Sequence, residues 1–411
     1  MLFTNIHQLV GTHASNAVLR ATQLSHLPII ENAFLLAEDG KIKAFGPMDA
    51  IGELATNHSF QQVDCTGKLL LPAWVDSHTH LVFAGSRENE MVDKINGATY
   101  AEIAAKGGGI LSSASRLQQT SEDDLFAMAL ARLQSVIKMG TGAIEIKSGY
   151  GLTVDAELKM LRVVKRLKQV SPIPVKASFL GAHALPTEYQ QSRGAYIQLI
   201  IEKMLPAIAA EQLADYIDVF CEQGFFTVDE CRAVIEAGKA IGLLPKIHAN
   251  QLHVSGGVEL GVSTNAISVD HLEAMDEAAI HALAGSPTIG TMLPTAAFFL
   301  RMQYPPARQM INAGCALSLA SDYNPGSSPS GNMNFVVALS CIQMKMTPAE
   351  AINAATINAA NALQLENEVG SIAVGKKANL LLTQKMNSIN YLPYAFGENL
   401  IEQVFVNGEA V

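Results

Sequence analysis

The chain has 411 residues, 49% of them hydrophobic, with 38 acidic side chains against 28 basic ones. A sequence this apolar can bury a large core, which excludes a disordered or fibrous protein and suits one elaborated barrel or two to three ordinary domains. The formal charge of −10, with no Lys/Arg-rich run to offset it, would repel a phosphate backbone and excludes nucleic acid as an expected partner.

The N-terminal MLFTNIHQLVGTHASN lacks a basic segment followed by an apolar run, and no stretch reaches about 18 uninterrupted apolar residues, so neither secretion nor membrane insertion is expected. Cys65, Cys221, Cys231, Cys315 and Cys341 are odd in number and scattered, which reads as reduced thiols in a cytoplasmic protein. Residues 1–65 read as short β segments, with Asp39-Gly40 as a hairpin signal in FLLAEDGKIKAFG. From 66 to 365, eight apolar runs (LLLPAWVDSHTH, TGAIEIKSGYG, VKASFLGAHAL, YIDVFCEQGFF, LPKIHANQL, AISVDHLE, PTIGTMLP and ALSLASDYNPG) alternate with amphipathic stretches such as DAELKMLRVVKRLKQV and VDECRAVIEAGKAIG. Eight such units predict a (β/α)₈ TIM barrel, with catalytic groups at the C-terminal ends of its strands. After the helix-forming MTPAEAINAATINAANALQL, residues 366–411 return to β character with a second turn pair, Asn407-Gly408, and are expected to join residues 1–65 in a small β-sandwich.

His78 and His80 fall at the end of the first run, and residues i and i+2 of a strand face the same way, so two imidazoles can reach one metal ion. By composition alone about 0.3 His-x-His pairs are expected, so the pair is weak evidence until position is added. His183, His248, His271 and Asp322 also end barrel runs, and those ends converge on one mouth; His7, His13, His26, His58 and His281 fall outside the pattern and read as structural. Imidazoles with one carboxylate and an open position describe a catalytic metal site, because a closed structural site favours cysteines. Such an ion makes hydroxide available at neutral pH, and hydrolysis is the expected chemistry.

PAWVDSHTHLVFAGSRENE, EIKSGYGL, FLGAHALP, KIHANQ, SVDHLE and SDYNPGSSP resemble the motifs of the imidazolonepropionases, a family within the amidohydrolase superfamily, and span most of the barrel. The resemblance implies one zinc or iron ion per subunit, held by His78, His80, His248 and Asp322. It also implies 4-imidazolone-5-propanoate as substrate, opened by water to N-formimidoyl-L-glutamate in histidine degradation, and a homodimer. Arg87 is placed to grip a carboxylate bidentately, although a surface salt bridge with Glu88 or Glu90 is the bland alternative. The resemblance puts Arg87, Tyr150 and His183 on the substrate, with Asn324, Gly326 and Ser327 lining the pocket; Gly326 could equally be a plain turn glycine. His271 is placed to hydrogen-bond the attacking water or the developing oxyanion, and Asp322 to accept a proton. Some relatives carry a glutamate where this chain has Gln251, and an amide takes no proton, so proton transfer falls to Asp322 with His271 while Gln251 orients the ring. Lys147 reads as pairing with a carboxylate, Glu222 as a neighbour of the site or plain structure, and Gly107-Gly108-Gly109 as a mobile loop over the mouth. The fourth run has no lysine, which argues against a binuclear site built on a carboxylated lysine. The rival readings are another cyclic-amide hydrolase of the superfamily, hydantoinase-like, or a deaminase with the same ligand set, which Arg87 as a carboxylate anchor disfavours, and a barrel that binds metal or a small ligand without catalysis.

Overall fold

The computed structural model describes residues 1–56, 60–97 and 108–411. Eight parallel strands, each paired with the next, make one sheet: Trp74–Asp76, Thr141–Lys147, Val175–Ala182, Tyr216–Cys221, Leu244–Ala249, Ser268–His271, Ile289–Met292 and Ala316–Leu319. Each lies inside one of the eight apolar runs, and the sheet curls into the expected (β/α)₈ barrel. The ring closes just beyond the ends of its first and last strands, where His80 N–H donates to the Tyr323 carbonyl (2.9 Å) and Asp322 N–H to the His78 carbonyl (3.0 Å).

The helices between strands start where the sequence supplies caps. The Thr153 side chain accepts from Ala156 N–H at the start of Val154–Val170, and Thr227 and Glu230 form a reciprocal capping box at Val228–Ala240. In the first of these, Leu158, Leu161, Val164 and Leu167 are buried at three-residue intervals, giving the apolar stripe that packs against the strands.

One sequence expectation needs correction. LLLPAWVDSHTH is not one strand: Lys68–Pro72 pairs with Leu380–Lys385 and Leu2–Val10 in the other sheet, and only Trp74–Asp76 belongs to the barrel. MTPAEAINAATINAANALQL is helical as its composition leads one to expect, in two helices, Pro348–Ala355 and Ile357–Ala362, broken at Thr356 (φ −126°, ψ −90°), whose hydroxyl donates back to the Ile352 carbonyl at 2.6 Å.

The second sheet runs Glu409–Ala410, Ile401–Val406, Leu380–Lys385, Lys68–Pro72, Leu2–Val10, Ile29–Glu38, Lys41–Pro47, with Gln62–Asp64 also paired to Leu2–Val10. It therefore draws on both termini. Phe3 and Phe405 lie three strands apart along it, roughly 14 Å in a flat sheet, yet their rings meet edge to face at 4.9 Å. The sheet folds over a shared core of Phe3, Ile6, Leu9, Leu35, Leu70, Leu380 and Phe405, as a sandwich does. Asp39-Gly40 (φ 51° and 76°) and Asn407-Gly408 (φ 52° and 78°) both form the expected hairpin turns, which need left-handed backbone at both positions. Among the described residues no helix is long and apolar enough to cross a membrane.

Candidate active site

A barrel interior is ordinarily filled by branched apolar side chains. Here, below the mouth, it is charged. Asp76, Glu145, Lys147, Asp218, Lys246 and Asp270 are all wholly buried. The period-two geometry of strands stacks these residues directly under the site, with Lys246 two residues before His248, and Asp270 beside His248 in the register of neighbouring strands.

Lys147 Nζ donates to Glu145 Oε1 (2.9 Å) and Asp218 Oδ2 (2.7 Å), and Lys246 Nζ donates to Glu145 Oε2 (2.8 Å) and the Ser77 carbonyl (2.8 Å). Burial opposes a charge on Lys147, but Asp218, Glu145 and Asp270 outweigh it and raise its pKa. The carboxylates in turn orient imidazoles. His78 Nδ1 donates to Asp270 Oδ2 at 2.6 Å, and His248 Nδ1 donates to Asp218 Oδ1 at 3.1 Å. A carboxylate only accepts, so each histidine carries its proton on Nδ1 and turns the lone pair of Nε2 toward the mouth.

Those lone pairs converge. His248 Nε2 lies 3.3 Å from His80 Nε2, while Asp322 Oδ1 lies 3.6 Å from His78 Nε2 and 3.5 Å from His80 Nε2. Ligands about 2.0–2.1 Å from a tetrahedral ion stand about 3.3–3.4 Å from one another, so the spacing fits one cation. Burial holds His78 and His80 well below the ordinary histidine pKa, keeping both neutral, and His78 Nε2 is buried without a hydrogen-bond partner. Neutral imidazoles and a carboxylate facing one another across 3.3–3.6 Å suit a cation between them. The carboxylates of the lower cluster, His78 with Glu145 and Asp270, are already engaged by two ammonium groups, so that cluster is the poorer fit for a cation.

His271 also faces this point, within one metal-sized cluster with His78 and His248. Its backbone takes φ 91°, and Asp322 takes φ 53°, so the ends of the sixth and eighth strands, on either side of Ile289–Met292, hold left-handed conformations that non-glycine residues seldom adopt. Burial lowers the His271 pKa, but Glu273, 3.4 Å from Nδ1, and Asp322 outweigh it and leave the net shift upward. Burial pushes Asp322 up to about 6, against the charge of His271 and the hydrogen bond from Ser327 Oγ.

Above the cluster lies a cavity of about 420 Å³ lined by Arg87, Tyr150, His183, Gln251, Asn324, Gly326 and Ser327, together with Lys94 and the apolar Ile110, Phe220, Phe225, Leu252 and Leu300. The six residues that the resemblance assigns to substrate meet in this one space, with Gln251, expected to orient the ring, among them. The His183 ring stacks on His80 (centroids 5.2 Å apart), joining the cavity floor to the imidazole cluster. Its Nδ1 donates to the Gly149 carbonyl at 2.9 Å, and burial holds its pKa down at about 4, leaving a neutral ring. Gly149 (φ 112°) allows this approach, since a Cβ there would stand 2.8 Å from Nδ1. Tyr150 is aimed by Glu157, whose buried carboxylate accepts from the N–H groups of Gly149 (3.1 Å), Gly151 (2.6 Å) and Leu152 (2.9 Å). Glu222 does the same for the segment after Gln251, accepting from Leu252 N–H at 2.9 Å and His253 N–H at 3.4 Å.

Arg87 caps helix Glu88–Ile95 and does make the salt bridge that was its bland alternative, with Nε 2.9 Å and Nη2 2.5 Å from Glu90 Oε2. Gly326 is more than a turn residue: an added Cβ would collide with Arg87 Nη1. Gly326→Ala is therefore expected to leave the folding midpoint unchanged, because a flexible guanidinium can yield, while displacing Arg87 and raising KM about tenfold. Thermal melts and steady-state kinetics on the same preparation check this; an unchanged KM contradicts the placement of Arg87. Gly107 lies outside the described residues. Gly108 precedes and Gly109 opens helix Gly109–Gln119, and Gly109 N–H donates to Glu90 Oε1 (2.8 Å).

Asp76, Glu145, Asp218 and Asp270, with Lys246, Glu157 and Lys94, were not singled out from the sequence. A signal was present for three of them: charged residues inside apolar strand runs, two positions from a histidine or lysine of the site, as in EIK, KIH and DSH. Lys94 sits on a polar helix and had none.

The model of the Amidohydrolase family matches residues 69–411. The chain belongs to this metal-dependent family, as the barrel and its histidine and aspartate cluster lead one to expect. Within it, the chain is similar end to end to curated imidazolonepropionases: 52% identical over 411 residues to that of Flavobacterium johnsoniae, covering 100% of this chain and 99% of that one. Against that of Christiangramia forsetii it is 50% identical, covering 100% of both. Among solved structures, 5-methylcytosine deaminase from Klebsiella pneumoniae liganded with 5-fluorocytosine has a TM-score of 0.75 at 16% identity, covering 100% of this chain and 97% of that one, a likeness of fold.

Proposed function

We propose that the protein hydrolyses the cyclic amide bond of 4-imidazolone-5-propanoate to give N-formimidoyl-L-glutamate, a step of histidine degradation. The observation that carries this reading is the cavity itself: a guanidinium at one end and apolar walls of ring size, set over the converging imidazoles in a chain similar along its whole length to enzymes of that name.

His78, His80, His248 and Asp322 would hold one ion, for which imidazole and carboxylate donors suit zinc or iron. When bound, such an ion lowers the pKa of water and polarises a carbonyl. The chain's own groups supply the rest. Arg87 faces the propanoate tail, Gln251 and Tyr150 orient the ring, and Phe220 and Phe225 exclude solvent from it. Asp322 takes a proton from the attacking water, and His271, whose pKa is raised, donates to the oxygen on which charge develops. The water oxygen joins the new carboxylate, the ring C–N bond breaks, and the proton ends on the departing nitrogen. A homodimer in the cytoplasm belongs to the same reading, supported by the family resemblance alone.

Loss of the substrate's ultraviolet absorbance, with the product mass identified and the metal content of the protein measured, tests the reading. Ring opening that stops on chelation and returns with zinc or iron is expected. A metal-loaded protein that leaves this compound intact would overturn the named reaction.

A further inference from the structure

One cation in the cavity wall has no assigned part. Glu90 and Lys94 stand four residues apart on helix Glu88–Ile95, and so share a face. Glu90 is fully engaged: one carboxylate oxygen takes both Nε and Nη2 of Arg87, and the other takes Gly109 N–H. The charge of Arg87 is thus balanced within the protein, with both side chains largely buried (15% and 14% exposed). Lys94 lines the same cavity as Arg87, Tyr150, Asn324 and Ser327. It is half-buried, and among the described residues its ammonium makes no hydrogen bond or ion pair. Burial pushes its pKa down, Arg87 adds to that, and Glu90 opposes. Glu90 does not line the cavity, so with Lys94 this end carries one unbalanced positive charge, and without it none.

We propose that Lys94 is a second substrate-facing cation, which pairs with the carboxylate tail of the substrate beside Arg87 and supplies the attraction that Glu90 neutralises in Arg87. The proposal rests on the reaction proposed above for the choice of ligand, a small planar ring with one carboxylate on a short chain. It makes Lys94 a determinant of specificity: the charge selects carboxylate-bearing rings over neutral ones.

The test uses the metal-loaded protein and an unreactive probe, 3-(imidazol-4-yl)propanoate, titrated calorimetrically beside its carboxamide. Lys94→Met is expected to weaken binding of the acid about tenfold, the size of one partly exposed charge-assisted contact, and to leave the carboxamide unaffected. Lys94→Arg restores binding of the acid, and with the substrate itself the Lys94→Met loss appears in KM more than in kcat. Equal losses for acid and carboxamide would show a merely structural role. An acid affinity untouched by Lys94→Met, or a native protein that binds neither probe, would overturn the proposal. Turnover of 4-imidazolone-5-propanoate by native protein decides the reaction separately, since probe binding requires no chemistry.

Discussion

His248→Ala is expected to lower turnover by about 10⁴-fold, the scale on which removal of a central catalytic group acts, and to leave the protein folded but without tightly held metal. His248 lies at the centre of the arrangement: Nδ1 is fixed by Asp218 at 3.1 Å, and Nε2 stands 3.3 Å from that of His80. Alanine removes one of three inward lone pairs and leaves Asp218 with the cation of Lys147, so the cost falls on metal binding more than on folding. Metal analysis after dialysis and single-turnover kinetics read the two effects. Full metal content with normal turnover would remove His248 from the site.

The second large effect is expected from Lys147→Met, in the buried charged layer beneath the imidazoles. Glu145, Asp218 and Asp270 share two ammonium groups, those of Lys147 and Lys246, and all five side chains are wholly buried. Methionine matches the length of the lysine stem but leaves three carboxylates against one cation, and breaking a buried pair on one side costs about 3–5 kcal/mol. Asp218 and Asp270 would also lose the partner that holds them against His248 and His78. Metal affinity is expected to fall about 10–100-fold, as it does when groups behind metal ligands are removed. Denaturation of metal-loaded and stripped protein separates the two: the stability loss appears in both forms, and the affinity loss in competition with a chelator. Unchanged affinity would reduce Lys147 to a packing role.

The legible part of this protein was its periodicity. Eight apolar runs with helical stretches between them are what eight parallel strands covered on both faces require, and two Asx-Gly pairs fixed two hairpins because few other sequences accept left-handed backbone twice in succession. The residues at the mouth were legible for the same reason, since a strand end that carries histidine is visible once the strand is. The strand Lys68–Pro72 was not, because one apolar run, LLLPAWV, crosses from one sheet to the other without a polar break. The charged barrel interior was legible only in part: Lys147 inside an apolar strand calls for a carboxylate, but which ones answer it is not visible until the barrel brings Glu145, Asp218 and Asp270 around it. Arg87 shows a third limit: both the salt bridge with Glu90 and a place in the cavity were open in the sequence, and the fold realises both at once.

The most direct test of the central claim is hydrolysis of 4-imidazolone-5-propanoate in water enriched in ¹⁸O, with the product fragmented in the mass spectrometer. The account predicts one labelled oxygen, located in the new carboxylate, and an intact formimidoyl group, because the Arg87 end of the cavity would hold the ring with its amide carbonyl over His78, His80 and His248. Label in a formyl group, with the ring carbonyl left as an unlabelled primary amide, would place the attack on the amidine carbon, and would contradict both the orientation and the reaction.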